Sequence, residues 1–461
     1  MRLSQSRSVV SVRFDEANLV SCAGLVPVMR LAETAGLAEL ISGRIRLGVS
    51  TGAHADRKIA SIVAGMIAGA DCIDDFDLLR HGGMSRVFTA VPAPSTLGSF
   101  LRSFSWGDTR ALESVARTFL TRLTAVTPLL PGADQIAYLD VDSLLRRTFD
   151  TAKQGAGFGH AKVGGYSLRL RGLSALVATI CTPIAAPVIA ATRLRGGSAA
   201  AARGGASLIT EAVTTARRAG CTGQILVRAD SAHYGGAVTT ACRRSGAQFS
   251  ITVRADVKIQ AAIAAIPDTA WTPIHYPRGV VDPETGQWIS DAEVAEIDYT
   301  AFETTPDKIT ARLVVRRVKD LNPDHQDALF PVWRYHAFFT DTTLSTVDAD
   351  LTHRQHAIIE QVFADLIDGP LAHLPSGKFT ANAAWLSCAA IAHNLLRAAA
   401  TLTSRPHAVA RAATLRRQII NVPARVAHRA RRLILHLPAH WPWHNAWHGL
   451  FQATHAPPPA A

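Results

Sequence analysis

Residues 138–145, which read Tyr-Leu-Asp-Val-Asp-Ser-Leu-Leu, place two carboxylates in a run that otherwise has the pattern of a buried β-strand. Because side chains alternate along a strand, Asp140 and Asp142 point to one face, and Leu139 and Val141 point to the other. Burying a carboxylate costs several kcal/mol unless a positive charge compensates it. The stretch therefore predicts either a cation bound beside the strand or a frayed strand end with two solvated acids.

The charge of the chain is distributed unevenly. The 461 residues are 48% hydrophobic and 18% charged, which is typical of two or three globular domains. The 48 Lys and Arg exceed the 36 Asp and Glu and give a formal charge of +12. The last acidic residue is Asp368, and the 93 residues after it (461 − 368) contain ten Lys and Arg. This basic block predicts a polyanionic partner, either nucleic acid or an anionic membrane surface.

Cysteine spacing and hydropathy indicate the compartment. The six cysteines are at least 21 residues apart (242 − 221), which argues against a CxxC metal knuckle and a disulfide framework. We therefore expect a reduced, cytoplasmic protein without a signal peptide.

Residues 173–192 carry no charge and have the length of a membrane span. Pro183 and Pro187, with the β-branched residues around them, instead predict two buried strands joined by a turn.

The periodicity of the sequence changes three times along the chain. We predict a helical N-terminal domain, a ribonuclease-H-like α/β core in two pieces, a β-rich insertion in that core, and a basic, helical C-terminal region ending in a loosely ordered tail. The boundaries are residues 1–130, 131–253 with 342–400, 254–341 and 401–461. A capped helix that begins at Pro94 indicates either a DNA-reading helix-turn-helix or an ordinary helical core.

Three acids stand where such a core would bring its catalytic side chains together. They are Asp142 (or Asp140) on the first strand, Asp230 at the end of the fourth, and Glu360 on a later helix. Two divalent metals about 3.5–4 Å apart need carboxylates from several elements to act on a phosphodiester. Four arginines lie close to these positions in the sequence: Arg193, Arg195, Arg228 and Arg354. Each is a candidate phosphate contact or an ordinary surface charge.

A second acidic group lies in the N-terminal region. Asp71, Asp74, Asp75 and Asp77 could offer metal ligands, but their helical spacing, with Arg80 nearby, is typical of a solvated face or a salt-bridged helix end. We expect a structural role for this group.

Several motifs in this order resemble a known family. YLDVDSLLRR, VRADSAHYGG and the long stretch from HRQHAIIEQVFADLIDG to AHNLLR are similar to the DDE transposases of bacterial insertion sequences, in a form typical of actinobacterial genomes. In that group a β-strand insertion precedes the catalytic glutamate. The resemblance extends over residues 14–397.

The resemblance implies a fold, an activity and partners. The enzyme would bind the terminal inverted repeats of its own element through the N-terminal domain, cleave the DNA ends, and join the freed 3′-hydroxyls to target DNA. It would use Mg²⁺, with Mn²⁺ as a substitute. Its partners would be double-stranded DNA and a second copy of the chain on that DNA, with no membrane, in the nucleoid of the cytoplasm.

The catalytic acids of the family fall on Asp142, Asp230 and Glu360, with spacings of 88 (230 − 142) and 130 (360 − 230) residues. The predicted insertion accounts for the longer spacing. Asp140 remains an alternative first ligand. If the strands that begin near Ile136 and Gln224 run parallel, Asp142 and Asp230 each lie six residues from the start, which favours Asp142.

The sequence departs from the family around the glutamate. Where a tyrosine, an arginine and a lysine are common, this chain has His353, His356 and Ile367. We predict that these share a helical face with Glu360, so that histidines take over phosphate contacts, although His356 as a partly buried histidine is an equal alternative. The predicted DNA-binding side chains are Arg195, Arg228, Arg354, His356 and Lys378.

Three tryptophans of the insertion have two interpretations. Related transposases stack a flipped base on an aromatic residue from this region, which makes Trp271, Trp288 and Trp333 candidates. Core packing is the alternative and the commoner role of a tryptophan.

Two further functions remain open from the sequence. One is a transposase-derived DNA-binding protein that has kept the fold and lost the chemistry. The other is a structure-selective nuclease of the same fold. All three acids are present, which favours the enzyme.

Overall fold

The computed structural model describes residues 11–48, 52–150, 152–163, 166–200, 202–274, 280–281, 288–289, 292–319 and 332–455. The helices are α1 Leu25–Thr34, α2 Leu37–Arg44, α3 Ala55–Ala68, α4 Met84–Val87, α5 Pro94–Arg102, α6 Trp106–Val126, α7 Gly205–Arg218, α8 Gly236–Arg244, α9 Val257–Ala264, α10 Thr346–Arg354, α11 Ile359–Ile367, α12 Phe379–Thr401, α13 Arg405–Ala408, α14 Ala412–Leu415 and α15 His444–His455. The strands are β1 Leu19–Val20, β2 Ile136–Arg147, β3 Gly157–Val163, β4 Tyr166–Thr182, β5 Ala185–Gly196, β6 Gln224–Ala229, β7 Gln248–Thr252, β8 Thr272–Pro273, β9 Val280–Val281, β10 Trp288–Ile289, β11 Ala292–Ala301, β12 Ile309–Lys319, β13 Trp333–Thr340, β14 Ala424–Arg429 and β15 Arg432–His436.

A mixed sheet forms the centre of the α/β core. β4 pairs antiparallel with β2 on one side and with β5 on the other, and β6 and β7 continue the sheet in parallel. Antiparallel strands followed by two parallel ones, with helices between them, is the order predicted for a ribonuclease-H-like core. The apolar stretch 173–192 is the β4–β5 hairpin, as predicted, with its turn at Pro183.

The register between β2 and β6 brings the two sequence motifs side by side. Ile136 pairs with Gln224 and Val141 with Ala229, in parallel. Asp142 and Asp230 follow directly after the last of these pairs. Because β2 continues to Arg147 whereas β6 ends at Ala229, the chain after β6 turns away beside Asp142 and opens the sheet edge at that point.

The predicted insertion is β-rich and extends the central sheet. β13 pairs antiparallel with β7, and β12, β11 and β8 follow outward in that order. Helix α10 then packs on one face of these added strands, where Ala349 joins the apolar side chains of Val294, Val314 and Phe338. The insertion therefore supports the helix that leads to Glu360.

Helix α12 joins the core to the N-terminal helices. Its residues 381–400 are all buried, and it packs against α3, α6 and β5. Most of these residues are apolar, and a helix of this kind must be surrounded by protein. At the outer edge of β5, which α12 covers, the Asn394 side chain donates to the carbonyl oxygen of Ile189 (2.8 Å) and accepts from its backbone N–H (2.7 Å). Asn394 thereby satisfies a strand edge that would otherwise be unpaired.

The C-terminal residues are not a loose tail. β14 pairs with β1 near the N-terminus, and α15 packs against α1. Trp447 and Leu450 are buried, so the prediction of a loosely ordered end is wrong for residues 444–455. The final residues, 456–461, lie outside the described part of the chain. Apolar contact with the helical N-terminal region holds this segment despite its charge.

The N-terminal region is helical, as predicted, and its acidic group forms local contacts. Asp75 accepts from the backbone N–H groups of Asp71 and Cys72 at 3.0 and 3.2 Å, and Arg80 pairs with Asp77 at 2.5 Å. Among the helices that the structure describes, none has the length and apolarity needed to cross a bilayer.

Gly223 enforces the register of β2 and β6. A Cβ atom at this position would overlap the backbone carbonyls of Asp134 and Gln135, which immediately precede β2. Gly223→Ala is therefore expected to lower the free energy of unfolding by about 1–3 kcal/mol, measured by chemical denaturation. Gly43→Ala is the matched control, because nothing lies within 4 Å of a Cβ there. Equal stability of the two variants would show that the close approach does not constrain the strands.

Candidate active site

Asp142 and Asp230 form a pair of like charges at the carboxyl end of β6. Burial and the negative charge of Asp230 raise the pKa of Asp142 to about 6. The Oδ1 atom of Asp142 accepts from the backbone N–H of Ser143 at 2.6 Å. No other hydrogen bond from the described residues reaches this carboxylate, so its second oxygen is available to a ligand.

His233 orients Asp230 from a fully buried position. Its Nδ1 lies 2.9 Å from Asp230 Oδ1, which also accepts from the backbone N–H of Ala232 at 3.1 Å. Because a carboxylate can only accept, Nδ1 carries the proton, and Nε2 has no hydrogen-bond partner among the described residues. Burial raises the pKa of Asp230, but these hydrogen bonds outweigh it and lower the pKa overall. His233 is not among the residues predicted from the sequence. Its signal was its position three residues after Asp230, where one short turn brings the ring back to the carboxylate.

Asp140 is held in a buried ion pair. Arg228 Nε and Nη2 donate to its two oxygens at 2.7 and 2.8 Å, and both side chains are 1% exposed. Arg228 also donates to the carbonyl oxygen of Thr352 at 2.8 Å and lies over the Tyr138 ring. Asp140 is therefore committed to Arg228, which favours Asp142 as the ligand. Arg228, which the sequence predicts as a DNA contact, is buried and makes these contacts within the protein.

Glu360 lies in the first turn of α11 and is exposed. The opposite side of this helix buries Ile359, Val362 and Leu366, and α11 packs against β2. Within the described residues, the three predicted acids do not have ligand atoms that all lie within 4.8 Å of one another. The structure thus brings Asp142 and Asp230 together and leaves Glu360 on the solvent side of a neighbouring helix.

The helix around Glu360 is interrupted, which changes the roles of the two histidines. A 3₁₀ turn at Gln355–Ile358 separates α10 from α11. His353 is buried, bonded to Ser250 and Thr252 and stacked on Phe338. Burial lowers its pKa to about 3, so it is neutral and does not contact phosphate, and it does not share a face with exposed Glu360.

His356, in contrast, faces the acids. Its Nδ1 donates to the carbonyl oxygen of His353 at 2.7 Å, and the ring is only partly buried. A positive charge on this ring would oppose the rise in the pKa of Asp142 and add to the lowering of the pKa of Asp230, so the ring lies near the pair. It remains a candidate for contact with an anionic ligand.

Two further arginines are engaged within the protein. Arg195 is 7% exposed and donates to Ala200 O (3.3 Å), Arg203 O (2.9 Å) and Ser174 Oγ (3.0 Å). It holds the loop after β5. The sequence predicts a DNA contact for Arg195, as for Arg228, but its hydrogen bonds here are made within the protein. Arg193 pairs with Glu211 at 2.8 Å in an ionic cluster that joins β5 to α7.

Two predicted DNA contacts remain accessible. Arg354 is 29% exposed in its ion pair with Asp350 (2.8 Å), and the exposed Lys378 donates to the carbonyl oxygen of Arg102 at 3.0 Å. Lys378 thereby lies at the end of α5, where the helical N-terminal region meets the core.

Two of the three insertion tryptophans flank an arginine. The Arg317 guanidinium lies 4.2 Å from the Trp271 ring and 4.5 Å from the Trp333 ring. Both rings are partly exposed, so neither is a fully buried core residue. The side chain of Trp288 lies outside the described part of the chain.

The paired aspartates suit a divalent cation. Mg²⁺ is usually bound through one or two carboxylates plus waters and substrate phosphates, not through a complete protein cage. Asp142 and Asp230 each offer one oxygen without a hydrogen bond from the described residues. Burial, and then repulsion from Asp230, raise the pKa of Asp142, and a bound cation would offset both effects. The chemistry of this pair therefore fits Mg²⁺ or Mn²⁺.

Comparison with known proteins found a matching family and a similar solved structure. The family described as "Transposase DDE domain group 1" matches residues 3–456. A solved piggyBac transposase synaptic complex with hairpin DNA matches with a TM-score of 0.42 and 10% sequence identity, over 85% of this chain and 76% of that chain. No curated protein matches the sequence.

The raised pKa of Asp142 predicts a pH-dependent cost. The ordinary value is 3.8 and the folded value about 6, so ionisation destabilises the metal-free protein increasingly between these pH values and fully above them. Asp142→Asn should therefore stabilise the metal-free protein at pH 7.5, by on the order of 1–3 kcal/mol, and should equal wild type at pH 3.8 or below. Exposed Asp298→Asn is the control for removing one charge. Denaturation curves showing the same gain for both variants would contradict the assigned repulsion.

The buried ion pair predicts an opposite effect two residues away. Asp140→Leu leaves Arg228 charged and without its carboxylate partner, and is expected to lower the free energy of unfolding by about 3–5 kcal/mol. The double variant Asp140→Leu with Arg228→Met should recover much of this loss, because it removes both buried charges. Urea denaturation of the single and double variants measures the coupling. A double variant as unstable as the sum of its singles would show that the pair is not what stabilises this region.

Proposed function

Because the chain belongs to the transposase DDE domain group 1 family, we propose that it binds the terminal inverted repeats of its own element, cleaves the DNA ends and joins them to target DNA. The observation that carries the proposal is the side-by-side placement of Asp142 and Asp230 at one sheet edge, with like charges that repel. This arrangement is suited to divalent-metal chemistry on a phosphodiester. Two copies of the chain would act together, since two ends must be joined.

Asp142 and Asp230 are the proposed metal ligands, with Glu360 as the third. A bound Mg²⁺ would polarise the scissile phosphate and activate the attacking oxygen. The backbone N–H of Ser143 and the His233 ring each hold one oxygen of an aspartate, which keeps the second oxygens directed to the ligand. Glu360 stands on the solvent side of α11, where DNA could approach it. His356 and Arg354, on the same connection, are the proposed contacts to the phosphate backbone.

The reaction needs two successive exchanges at phosphorus. Water first displaces the 3′ oxygen at the element's end, giving a 5′-phosphate and a 3′-hydroxyl. That hydroxyl then attacks a target phosphodiester, forms a new P–O bond and displaces the 3′ oxygen of the target strand. Ionised Asp142 is required in the metal-bound form, so the rate should rise with pH until this group is deprotonated.

Cleavage of DNA carrying the element's inverted repeats tests the proposal. The purified chain with Mg²⁺ or Mn²⁺ should nick these ends, and Asp230→Ala should reduce the rate by about 100-fold or more, since several kcal/mol of charge stabilisation are lost. Full cleavage by this variant would refute the assignment.

Glu360 allows a sharper comparison. Because it is exposed, Glu360→Gln should leave the melting temperature unchanged while lowering cleavage about as much as Asp230→Ala does. Its exposed neighbour Gln361 provides the control, and Gln361→Ala should keep both stability and cleavage. Wild-type activity of Glu360→Gln would remove Glu360 from the site.

The same assay separates the other two functions. End binding without metal-dependent cleavage would indicate a DNA-binding protein that has lost its chemistry. Cleavage of branched DNA without dependence on terminal repeats would indicate a structure-selective nuclease. Inverted repeats and a short target duplication flanking the gene favour the transposase.

A further inference from the structure

The C-terminal basic segment contains a two-stranded β-ribbon that is unusually rich in arginine. β14 and β15 pair antiparallel from Arg425 opposite His436 to Arg429 opposite Arg432, with Ala430 and Arg431 as the two-residue turn. The base of the ribbon is buried on one face at Ala424 and Val426, whereas His428 and Leu433, farther along the same face, are exposed. The ribbon is therefore a fixed part of the fold.

The other face is basic. Residues that are directly opposite, or two apart on one strand, share a face, so Arg425, Arg429, Arg432 and His436 project together. All four are exposed, and Arg431 adds a further exposed charge at the turn. The ribbon belongs to the 93 residues (461 − 368) that contain no Asp or Glu.

Three of these arginines have no ionic partner among the described residues. Arg425 lies 3.8 Å from Glu16, but among the described residues no hydrogen bond or ion pair reaches Arg429, Arg431 or Arg432. Arg429 stands directly opposite Arg432, and like charges at such positions destabilise a strand pair. A bound polyanion would offset this repulsion, because its negative charges attract both arginines.

The turn also departs from its preferred sequence. Ala430 and Arg431 have φ values of 50° and 65°, the left-handed conformation required at both positions of a type I′ turn. Asn-Gly is the preferred pair there, and residues with a Cβ are strained. Arg431 thus carries its charge in a position where glycine would be more stable.

We propose that the β14–β15 ribbon is a contact element for duplex DNA, with Arg429, Arg431 and Arg432 paired to backbone phosphates. A two-stranded β-ribbon fits the major groove of B-DNA, and arginine binds phosphate through a planar fork of donors. The inference rests on the proposed function and adds to it a DNA contact outside the catalytic core. The ribbon adds affinity independent of sequence and of metal.

Salt-dependent binding of the full chain to a 30-bp duplex, without metal, tests the ribbon. Arg429→Gln with Arg432→Gln should weaken binding on the order of 10- to 100-fold at 0.1 M salt and lower the slope of log K against log salt by about two. The matched control is Arg218→Gln with Arg244→Gln, which removes two exposed charges at the far ends of α7 and α8, away from Asp230. This control should leave the slope unchanged.

A turn variant separates charge from folding. Ala430→Asn with Arg431→Gly gives the preferred type I′ sequence, so it should equal or exceed wild type in melting temperature yet lower the salt slope by about one. Ala430→Asn alone keeps the charge and should bind DNA as wild type does.

Three outcomes would overturn the proposal. They are an unchanged slope in the ribbon variant, an equal loss in the Arg218 and Arg244 control, and a loss of binding to phosphatidylserine vesicles with DNA binding intact. Metal-dependent cleavage by wild type alongside an unchanged slope would remove the ribbon while leaving the transposase proposal standing. Absence of cleavage, together with the expected slopes, would remove the transposase proposal while leaving the ribbon as a DNA contact.

Discussion

The buried ion pair between Asp140 and Arg228 is the interaction on which the candidate site depends. It joins β2 to β6, and through the carbonyl oxygen of Thr352 it fixes the end of α10, the helix that leads to Glu360. Burial disfavours a charged guanidinium, but the Asp140 carboxylate reverses this effect and raises the pKa of Arg228. A lone charge at this depth would be strongly unfavourable, so each member requires the other.

Asp142 and Asp230 lie one strand period, about 7 Å, beyond this pair. Asp140 and Asp142 are on the same strand face, as are Arg228 and Asp230. The Asp140–Arg228 pair is nevertheless neutral, whereas Asp142 and Asp230 are both acids and repel each other. The difference arises because β6 ends at Ala229 and opens the site to solvent and to ligands. The side chain of Asp230 is 46% exposed, whereas those of Asp140 and Arg228 are 1% exposed. A divalent cation therefore fits where the sheet opens and is unnecessary where it is closed.

The basic residues divide in the same way between internal and external partners. Arg193, Arg195 and Arg228 satisfy carboxylates and carbonyls inside the core, whereas Arg429, Arg431 and Arg432 of the β14–β15 ribbon have no such partner among the described residues. The C-terminal segment is ordered because its apolar residues, including Val426 and Trp447, pack on the N-terminal region. The net charge indicated a polyanionic partner but did not show which arginines are exposed to it. The packing of the chain decides which arginines are exposed and which have partners inside the core.

Much of this protein could be predicted from its sequence, because strand alternation and motif order are local properties. They predicted the α/β core, the β4–β5 hairpin in place of a membrane span, the β-rich insertion, and the parallel register that aligns Asp142 with Asp230. The roles of individual polar residues could not be predicted in this way. Whether an arginine near a strand end faces DNA or a buried aspartate, whether His353 and His356 share a face, and whether a basic segment is a tail or a ribbon depend on contacts between residues far apart in the chain. Sequence alone determined where the acids stand on their strands; the tertiary structure decided which of them are neutralised, because burial and the partner brought by another element set the free energy of each charge.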